Sequence, residues 1–91
     1  MLKKYTEDEI ERIFNERVTI AVRMASLKKA MIGEWTFTYP TGYKTVEIEL
    51  AAPMNEEDYD HDVAYRMIVE RVKSKLWEIC GKYTLATGDK L

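Results

Sequence analysis

The chain has 91 residues, of which 46% are hydrophobic and 11% aromatic, and its 14 basic and 16 acidic residues give a net charge of −2. This length predicts one domain, and the apolar fraction suffices for a packed core, which excludes a disordered chain. The nearly balanced charge argues against a protein held on nucleic acid by bulk electrostatics, although a local basic patch is compatible with it.

Cysteine usage and hydropathy bear on where the protein resides. The single cysteine, Cys80, has no partner for an internal disulfide, as is usual in a reducing cytoplasm. No stretch approaches the ~20 apolar residues that a membrane span needs, and the first residues lack the apolar run of a signal peptide. We therefore expect a cytoplasmic protein without a membrane partner.

The first predicted element is a helix over residues 6–32. Thr6 and Glu9 have the spacing of a capping box, apolar residues then recur at close to helical period, and Gly33 supplies a stop. Such a helix would be ~39 Å long. A compact domain of this size is only about 30 Å across. The helix must therefore overhang the domain, bend or pack against another copy, and its second row of apolar residues favours a homodimer or larger homo-oligomer.

Residues 34–52 predict an antiparallel β-hairpin, because bulky apolar and polar residues alternate on both sides of Pro40-Thr41-Gly42. Pro40 suits the second position of a type I turn and Gly42 the fourth. The apolar residues of both strands share one face only if the loop has an even number of residues. These residues are Trp35, Phe37 and Tyr39 on the first strand and Val46, Ile48 and Leu50 on the second. The other face would carry Thr36, Thr38, Thr45, Glu47 and Glu49.

A second helix is predicted over residues 60–80, with Asp58 or Asp60 as its N-cap and Gly81 as its stop. Residues 86–91 are expected to fray. The order α-β-β-α predicts a single domain over residues 1–91, a two-layer α+β fold in which two helices cover the apolar face of the hairpin.

Acidic residues concentrate where the hairpin leads into the second helix. Carboxylates alternate around His61, an arrangement that could hold a divalent metal, but EF-hand spacing and a second histidine for zinc are missing from the sequence. Acids at a helix N-terminus also follow from capping and the helix dipole. A mimic of DNA phosphates would carry far more negative charge than −2. We predict no metal and interpret the acids as a partner-binding patch. The patch comprises Glu47, Glu49, Glu56, Glu57, Asp58, Asp60 and Asp62.

Basic residues on the second helix offer an alternative site, for a nucleotide or nucleic acid. Such charges more often only solvate the outer face of an amphipathic helix. The residues concerned are Arg66, Arg71, Lys73 and Lys75. No nucleophile lies beside a base, the glycines are scattered singly, and Cys80 falls within an apolar stripe. We therefore predict neither enzyme activity nor a cofactor.

Several motifs in the second half of the chain follow one another in a recognisable order. Thr41-Gly42-Tyr43 stands at the turn, Ala51-Ala52-Pro53 follows the second strand, and Tyr59-Asp60 precedes a charged helix with Trp77 and, four residues later, Gly81. This order resembles a family of small tailed-bacteriophage proteins of unassigned biochemical role. The chain departs from that family in having Thr41 where Asn is usual, and in a longer loop between Pro53 and Tyr59.

The resemblance implies a viral protein made in the cytoplasm of a host bacterium. Small phage accessory proteins commonly bind host machinery or block a defence system. The leading hypothesis is therefore a protein that binds, inhibits or sequesters a host factor, in host takeover or anti-defence. The alternatives are a nucleotide or nucleic-acid binding protein and a purely regulatory or assembly subunit.

Overall fold

The computed structural model of the chain describes residues 4–25 and 29–91, with Glu56 described in its backbone alone. Its elements, in chain order, are α1 (Glu7–Arg17), β1 (Val18–Met24), β2 (Met31–Thr38), β3 (Lys44–Ala51), a short 3-10 turn (Glu56–Asp58) and α2 (His61–Thr87). The α+β class is confirmed. The predicted α-β-β-α order is corrected to α-β-β-β-α, with three strands in place of two.

The predicted helix over residues 6–32 is wrong beyond Arg17. It begins as predicted, because the Thr6 hydroxyl accepts from the Glu9 amide and the Glu9 carboxylate accepts from the Thr6 amide, which completes the capping box. The chain then enters β1, where half-buried Val18, Ile20 and Val22 alternate with exposed residues. These β-branched residues at a period of two fit a pleated strand better than a helix. The part of the predicted helix over residues 26–28 lies outside the described residues.

The three strands form an antiparallel sheet in the order β1-β2-β3. On the central strand, Trp35 lies between Ile20 of β1 and Glu47 of β3, and Phe37 lies between Val18 and Thr45. Both helices pack on the face of the sheet that carries these side chains, which is called here the inner face. The opposite face is called the outer face.

The β2–β3 hairpin has the predicted turn but not the predicted register. The Gly42 amide donates to the Tyr39 carbonyl over 2.8 Å, so Pro40 is second and Gly42 fourth in the turn. Gly42 has a φ of 89°, and the Tyr39 amide donates to the Tyr43 carbonyl over 2.8 Å, which closes a three-residue loop. An odd loop shifts the register by one residue, so the predicted even loop is wrong and Phe37 pairs with Thr45.

The core lies between the inner face and the helices. Ile10 and Ile13 of α1 are buried there, as are Trp35 and Phe37 of β2. Helix α2 contributes a row of buried residues spaced by four: Ala64, Ile68, Val72, Leu76, Cys80 and Thr84. A row with this spacing winds around a helix of 3.6 residues per turn. The first half of α2 therefore packs on the sheet, and its second half lies along α1.

The ends of α2 were predicted with unequal success. Asp60 is the N-cap, and its carboxylate accepts from the amides of Asp62 and Val63, so one of the two predicted caps is confirmed. The predicted stop at Gly81 is wrong, because α2 continues to Thr87 and is capped by Gly88 at a φ of 78°. An exposed glycine inside a helix costs only about 1 kcal/mol relative to alanine, and the buried row continues past it to Thr84.

Residues 86–91, predicted to fray, instead finish α2 at Thr87 and end with Lys90 and Leu91 packed against Tyr5 and α1. The Leu91 amide donates to the Tyr5 hydroxyl over 2.8 Å, and Arg12 donates to the Leu91 carbonyl over 2.9 Å. The Lys90 ammonium pairs with Glu9 and lies 4.9 Å from the centre of the Tyr5 ring. These contacts bind the end of the chain to its beginning.

The helix lengths remove the original argument for a homo-oligomer. Helix α1 has 11 residues, or ~16 Å, well short of the ~30 Å across that a domain of this size allows. The long rod is α2, whose 27 residues extend ~40 Å in a molecule measuring 48 × 23 × 17 Å. In the described part of the chain, no helix combines the length and the apolar character needed to cross a membrane.

Candidate functional site

The outer face of the sheet exposes a row of aliphatic side chains. The one-residue change in register turns Val46, Ile48 and Leu50 of β3 away from the core, with exposed fractions of 58%, 61% and 58%. Single exposed apolar residues are ordinary on soluble proteins, but a contiguous apolar patch marks an interaction surface. This row is called here the aliphatic row.

Residues of β2 and β1 continue the outer face beside the aliphatic row. Three successive lines of residues cross the sheet from β3 through β2 to β1. They are Leu50–Ile32–Arg23, Ile48–Glu34–Ala21 and Val46–Thr36–Thr19. A shallow depression of about 210 Å³ lies at the centre of this face. Its lining residues are Ala21, Val22, Arg23, Ile32, Glu34 and Ile48.

The charges of the outer face are few and of both signs. Its three strands contribute the basic residues Arg23 and Lys44 and the acidic residue Glu34. Surfaces that bind nucleic acid are markedly positive and polar. The centre of a protein–protein contact is instead depleted in charge and rich in apolar side chains, with charged groups at the rim. The outer face has the second composition.

The acidic residues of β3, Glu47 and Glu49, face the helices. Glu49 is only 7% exposed, and its Oε2 accepts a hydrogen bond from the Trp35 indole nitrogen over 3.1 Å. The Lys75 ammonium of α2 donates to the same oxygen and lies 3.7 Å from an oxygen of Glu47. A carboxylate inside a protein is tolerated only when such donors satisfy it. The Glu49–Lys75 pair therefore belongs to the interface between sheet and helix.

The ionisation of this pair follows from its contacts. Burial raises the pKa of Glu49, but the hydrogen bonds from Lys75 and Trp35 outweigh burial, so its pKa lies below the usual value. The hydrogen bond to Glu49 raises the pKa of Lys75 above its usual value. Both groups are charged at neutral pH, and they form an ion pair with each other.

The predicted acidic patch divides into two separate groups. Glu47 and Glu49 lie at the sheet–helix interface beside Lys75, whereas Glu57, Asp58, Asp60 and Asp62 are exposed at the start of α2. Lys75 is ~20 Å along α2 from Asp62, so the two groups do not form one cluster. Asp60 serves as the helix cap. The side chain of Glu56 lies outside what the structure describes.

Three of the four predicted basic residues already have partners within the chain. Arg71 donates to the Leu50 carbonyl of β3, Lys73 pairs with Glu11 of α1, and Lys75 pairs with Glu47 and Glu49. A phosphate would have to displace these partners. Arg66 instead borders a groove of about 600 Å³ between β1 and α2. The other residues of the groove are Val22, His61, Asp62, Tyr65 and Val69. Binding of a nucleotide or nucleic acid by the four basic residues stays a prediction.

The described residues offer few candidates for binding a metal ion or acting as a nucleophile. Across residues 4–25 and 29–91, no three side chains of histidine, cysteine, aspartate or glutamate come together in a way that would hold a metal ion. His61 is exposed in the first turn of α2. Cys80 is fully buried, and burial raises the pKa of its thiol to about 11, so it is not a thiolate at neutral pH.

Sequence reasoning missed the aliphatic row as a site because it assigned those residues to the core. These residues face outward because Gly42 has a positive φ. The Pro-Thr-Gly sequence permits this angle but does not require it. Comparisons with protein-family models, curated proteins and solved structures found no match to this chain.

Proposed function

We propose that this protein acts by binding another protein, and that the outer face of its sheet is the contact surface. The observation that supports this is the aliphatic row, whose three exposed side chains come from alternate residues of one strand. Exposing such a row brings the folded monomer no stability, whereas covering each of its side chains would contribute about 1.5–3 kcal/mol at full burial. The proposal assigns no catalytic step to the chain.

The chemistry of the surface specifies the partner. The row from Val46 to Leu50 is ~14 Å long, which matches the apolar stripe along about nine residues of an amphipathic helix. Arg23, Glu34 and Lys44 form a rim of mixed charge, so the partner's stripe needs polar flanks of both signs. The proposed occupant is therefore an amphipathic helix on another protein.

The resemblance to phage proteins supports a host protein as the partner. On this proposal the chain works in the bacterial cytoplasm, where covering the partner's helix inhibits or sequesters the host factor. The exposed carboxylates of Glu57, Asp58 and Asp62 offer a second, weaker contact for basic residues of the partner.

The test is capture of a partner by the tagged protein from lysate of infected bacteria. In the variant V46T/I48T/L50T, threonine supplies at each position a β-branched side chain that suits a strand, and it removes most of the apolar surface. We expect the unfolding free energy of this variant to stay within about 1 kcal/mol of the parent, since the three side chains are exposed, and capture to be lost. The matched control is Leu85→Gln, which removes an aliphatic side chain 65% exposed near the end of α2.

Salt separates this proposal from phosphate binding. Apolar contact persists as salt rises, whereas binding to a nucleic acid weakens steeply. The proposal is overturned if the triple threonine variant captures the same partner as the parent. It is also overturned if capture is lost in ~0.5 M salt and in Arg66→Glu but retained in the triple variant.

A further inference from the structure

We propose that two copies of this chain join through the free edges of their β1 strands, antiparallel about a two-fold axis, to form one six-stranded sheet. The use of the enlarged outer face as a docking surface rests on the function proposed above, whereas the pairing itself does not. A homodimer was first predicted from helix length; it is proposed here because the edge of β1 is free.

The hydrogen bonding of the sheet defines which backbone groups of β1 are free to pair. The Ala25 amide donates to the Ala30 carbonyl over 2.9 Å, which places the odd-numbered residues of β1 in bonded pairs with β2. The amide and carbonyl groups of Ile20 and Val22 therefore point away from β2, toward the edge. A row of such groups on an edge strand is a template for another strand.

The two edge strands of the sheet, β1 and β3, differ in how well they are protected against strand addition. Leu50 lies in a non-bonded pair of the β2–β3 ladder, so its carbonyl points to the free edge of β3, where the Arg71 guanidinium donates to it. Charged side chains at an edge are one way in which proteins prevent strand addition. The sequence of β1, VTIAVRM, has neither proline nor lysine, and its single charge, Arg23, lies near its end. The β1 edge therefore lacks the protection that β3 has.

The inner side of β1 is also incompletely covered. Val18, Ile20 and Val22 are only half-buried, because α2 packs mainly against β2 and β3. The groove of about 600 Å³ between β1 and α2 is bordered by Val22 and by apolar parts of α2, including Tyr65 and Val69. A strand added beside β1 would extend its inward side chains beneath the sheet at this groove.

The strand that fits best is a second β1, because the sequence is self-complementary about Ala21. An antiparallel pair centred there places Ile20 opposite Val22 of the second copy and Thr19 opposite Arg23. Ala21 meets its own counterpart with the smallest side chain of the strand, and no like charges lie opposite each other. The groove carries both Asp62 and Arg66, so two copies approach each other with balanced charge.

The pairing enlarges the outer face and leaves its outer edges protected. Three strands span ~14 Å and six span ~29 Å, with β3 and its Arg71 contact at each outer edge. The two aliphatic rows then lie on the same outer face, at its opposite edges, separated by β2 and β1 of both copies. The dimer thus presents two copies of the docking row on one face.

The first measurement is the mass of the full chain in solution by light scattering over a range of concentrations. We expect a species of twice 10.7 kDa that dissociates on dilution. Amide hydrogen exchange provides a residue-level readout, because pairing slows exchange at Ile20 and Val22, whose amides are otherwise open to solvent.

Charge substitutions at the axis test the geometry. In Ala21→Glu and in Ala21→Lys, like charges meet across the two-fold axis, and we expect each variant to dimerise at least ~10-fold more weakly than the parent. Mixing the two variants pairs opposite charges and should restore a dimer. Because Ala21 is exposed in the monomer, both variants are expected to fold, which circular dichroism checks.

Val22→Pro provides an independent test. The Val22 amide points to the free edge of β1, so proline at this position blocks strand addition without removing a bond between β1 and β2. The proposal is overturned if the parent chain remains monomeric at ~1 mM, if the dimer tolerates all three variants, or if V46T/I48T/L50T abolishes the dimer. Loss of partner capture with an intact dimer would count against the proposed function alone.

Discussion

The indole nitrogen of Trp35 on β2 donates a hydrogen bond over 3.1 Å to Oε2 of Glu49 on β3, and both side chains are buried. The Lys75 ammonium donates to the same oxygen. One carboxylate thus connects two strands of the sheet to α2, and its removal leaves the buried indole N–H of Trp35 without an acceptor and Lys75 with Glu47 as its acidic partner.

The first prediction is that Glu49→Gln destabilises the fold. Glutamine keeps the shape but removes the negative charge, so the bond from Trp35 becomes a neutral one and the ion pair with Lys75 is lost, at a cost of about 1–3 kcal/mol in the free energy of unfolding. Urea denaturation followed by tryptophan fluorescence measures it. The control, Glu57→Gln, changes an exposed carboxylate and should stay within about 0.5 kcal/mol. Equal stability of the two variants would contradict the structural role of Glu49.

The second prediction concerns pH. The pKa of Glu49 is lowered on folding, so its contribution is complete above the unfolded value, near ~4.3, and is lost as pH falls through the folded value. The pKa of Lys75 is raised, so its contribution is complete below ~10.4 and is lost as pH rises through the folded value. The stability difference between parent and Glu49→Gln should therefore be level from about pH 5 to pH 9 and shrink below pH 4. A difference that grew in acid would exclude this assignment.

The third prediction is that Gly33→Ala is destabilising. A Cβ atom at Gly33 would lie 2.8 Å from Cγ2 and 3.2 Å from Cδ1 of Ile68 on α2, so the Ile68 side chain or the helix that carries it would have to shift. Overpacking of this kind costs about 1–3 kcal/mol. Thermal denaturation measures it, and the cost should be smaller in an Ile68→Ala background, where the clashing atoms are gone.

Gly81→Ala is the matched control for Gly33→Ala, with the opposite expected sign. Gly81 is exposed within α2, and no atom lies within 4 Å of a Cβ built there. Alanine should raise the free energy of unfolding by about 0.5–1 kcal/mol by favouring the helix. If Gly81→Ala were as harmful as Gly33→Ala, the continuation of α2 past Gly81 would be wrong.

The fourth prediction is that Cys80 resists thiol reagents in the folded protein. Burial raises its pKa to about 11 and closes access to the sulfur. At pH 8, we expect labelling by a thiol-specific reagent to be on the order of 100-fold slower, or more, than in the urea-denatured chain. Its rate should rise in the destabilised variants, because labelling then reports opening of the fold. Rapid labelling of the native parent would contradict burial of this thiol.

The fifth prediction tests the contact between the two ends of the chain. The Tyr5 hydroxyl lies 3.0 Å from Oγ1 of Thr84 and accepts from the Leu91 amide over 2.8 Å. Tyr5→Phe removes both bonds and should lower the free energy of unfolding by about 1–3 kcal/mol. Tyr43→Phe, at an exposed tyrosine of the hairpin loop, is the control and should be nearly neutral. Amide exchange near Leu91 should accelerate in Tyr5→Phe alone.

Local signals in the sequence were sufficient for the parts of the fold that local chemistry decides. The capping box at Thr6, the cap at Asp60 and the turn at Pro40 each depend on residues within a few positions, and each is found as predicted. Strand β1 was missed because Val18 and Val22 also fit a helical row, and short apolar segments do not separate the two periods.

The face of β3 could not be predicted, because it depends on one backbone angle. Gly42 adopts a φ of 89°, the loop becomes odd, and the whole aliphatic row changes sides. Glu49 was placed on the exposed face because an even loop turns Val46, Ile48 and Leu50 toward the core. Its burial is made favourable by Lys75, a residue 26 positions away in the sequence, and such a pairing has no local signal.

The alternation along β3 has a consequence for how this chain can vary. Folding depends on the odd-numbered positions, where Glu49 and Ala51 are buried, while Val46, Ile48 and Leu50 contribute little to it. In a mutational scan scored by protein abundance, substitutions at those three positions would thus have little effect. A lineage could exchange them freely to follow a changing target, without eroding its ability to fold.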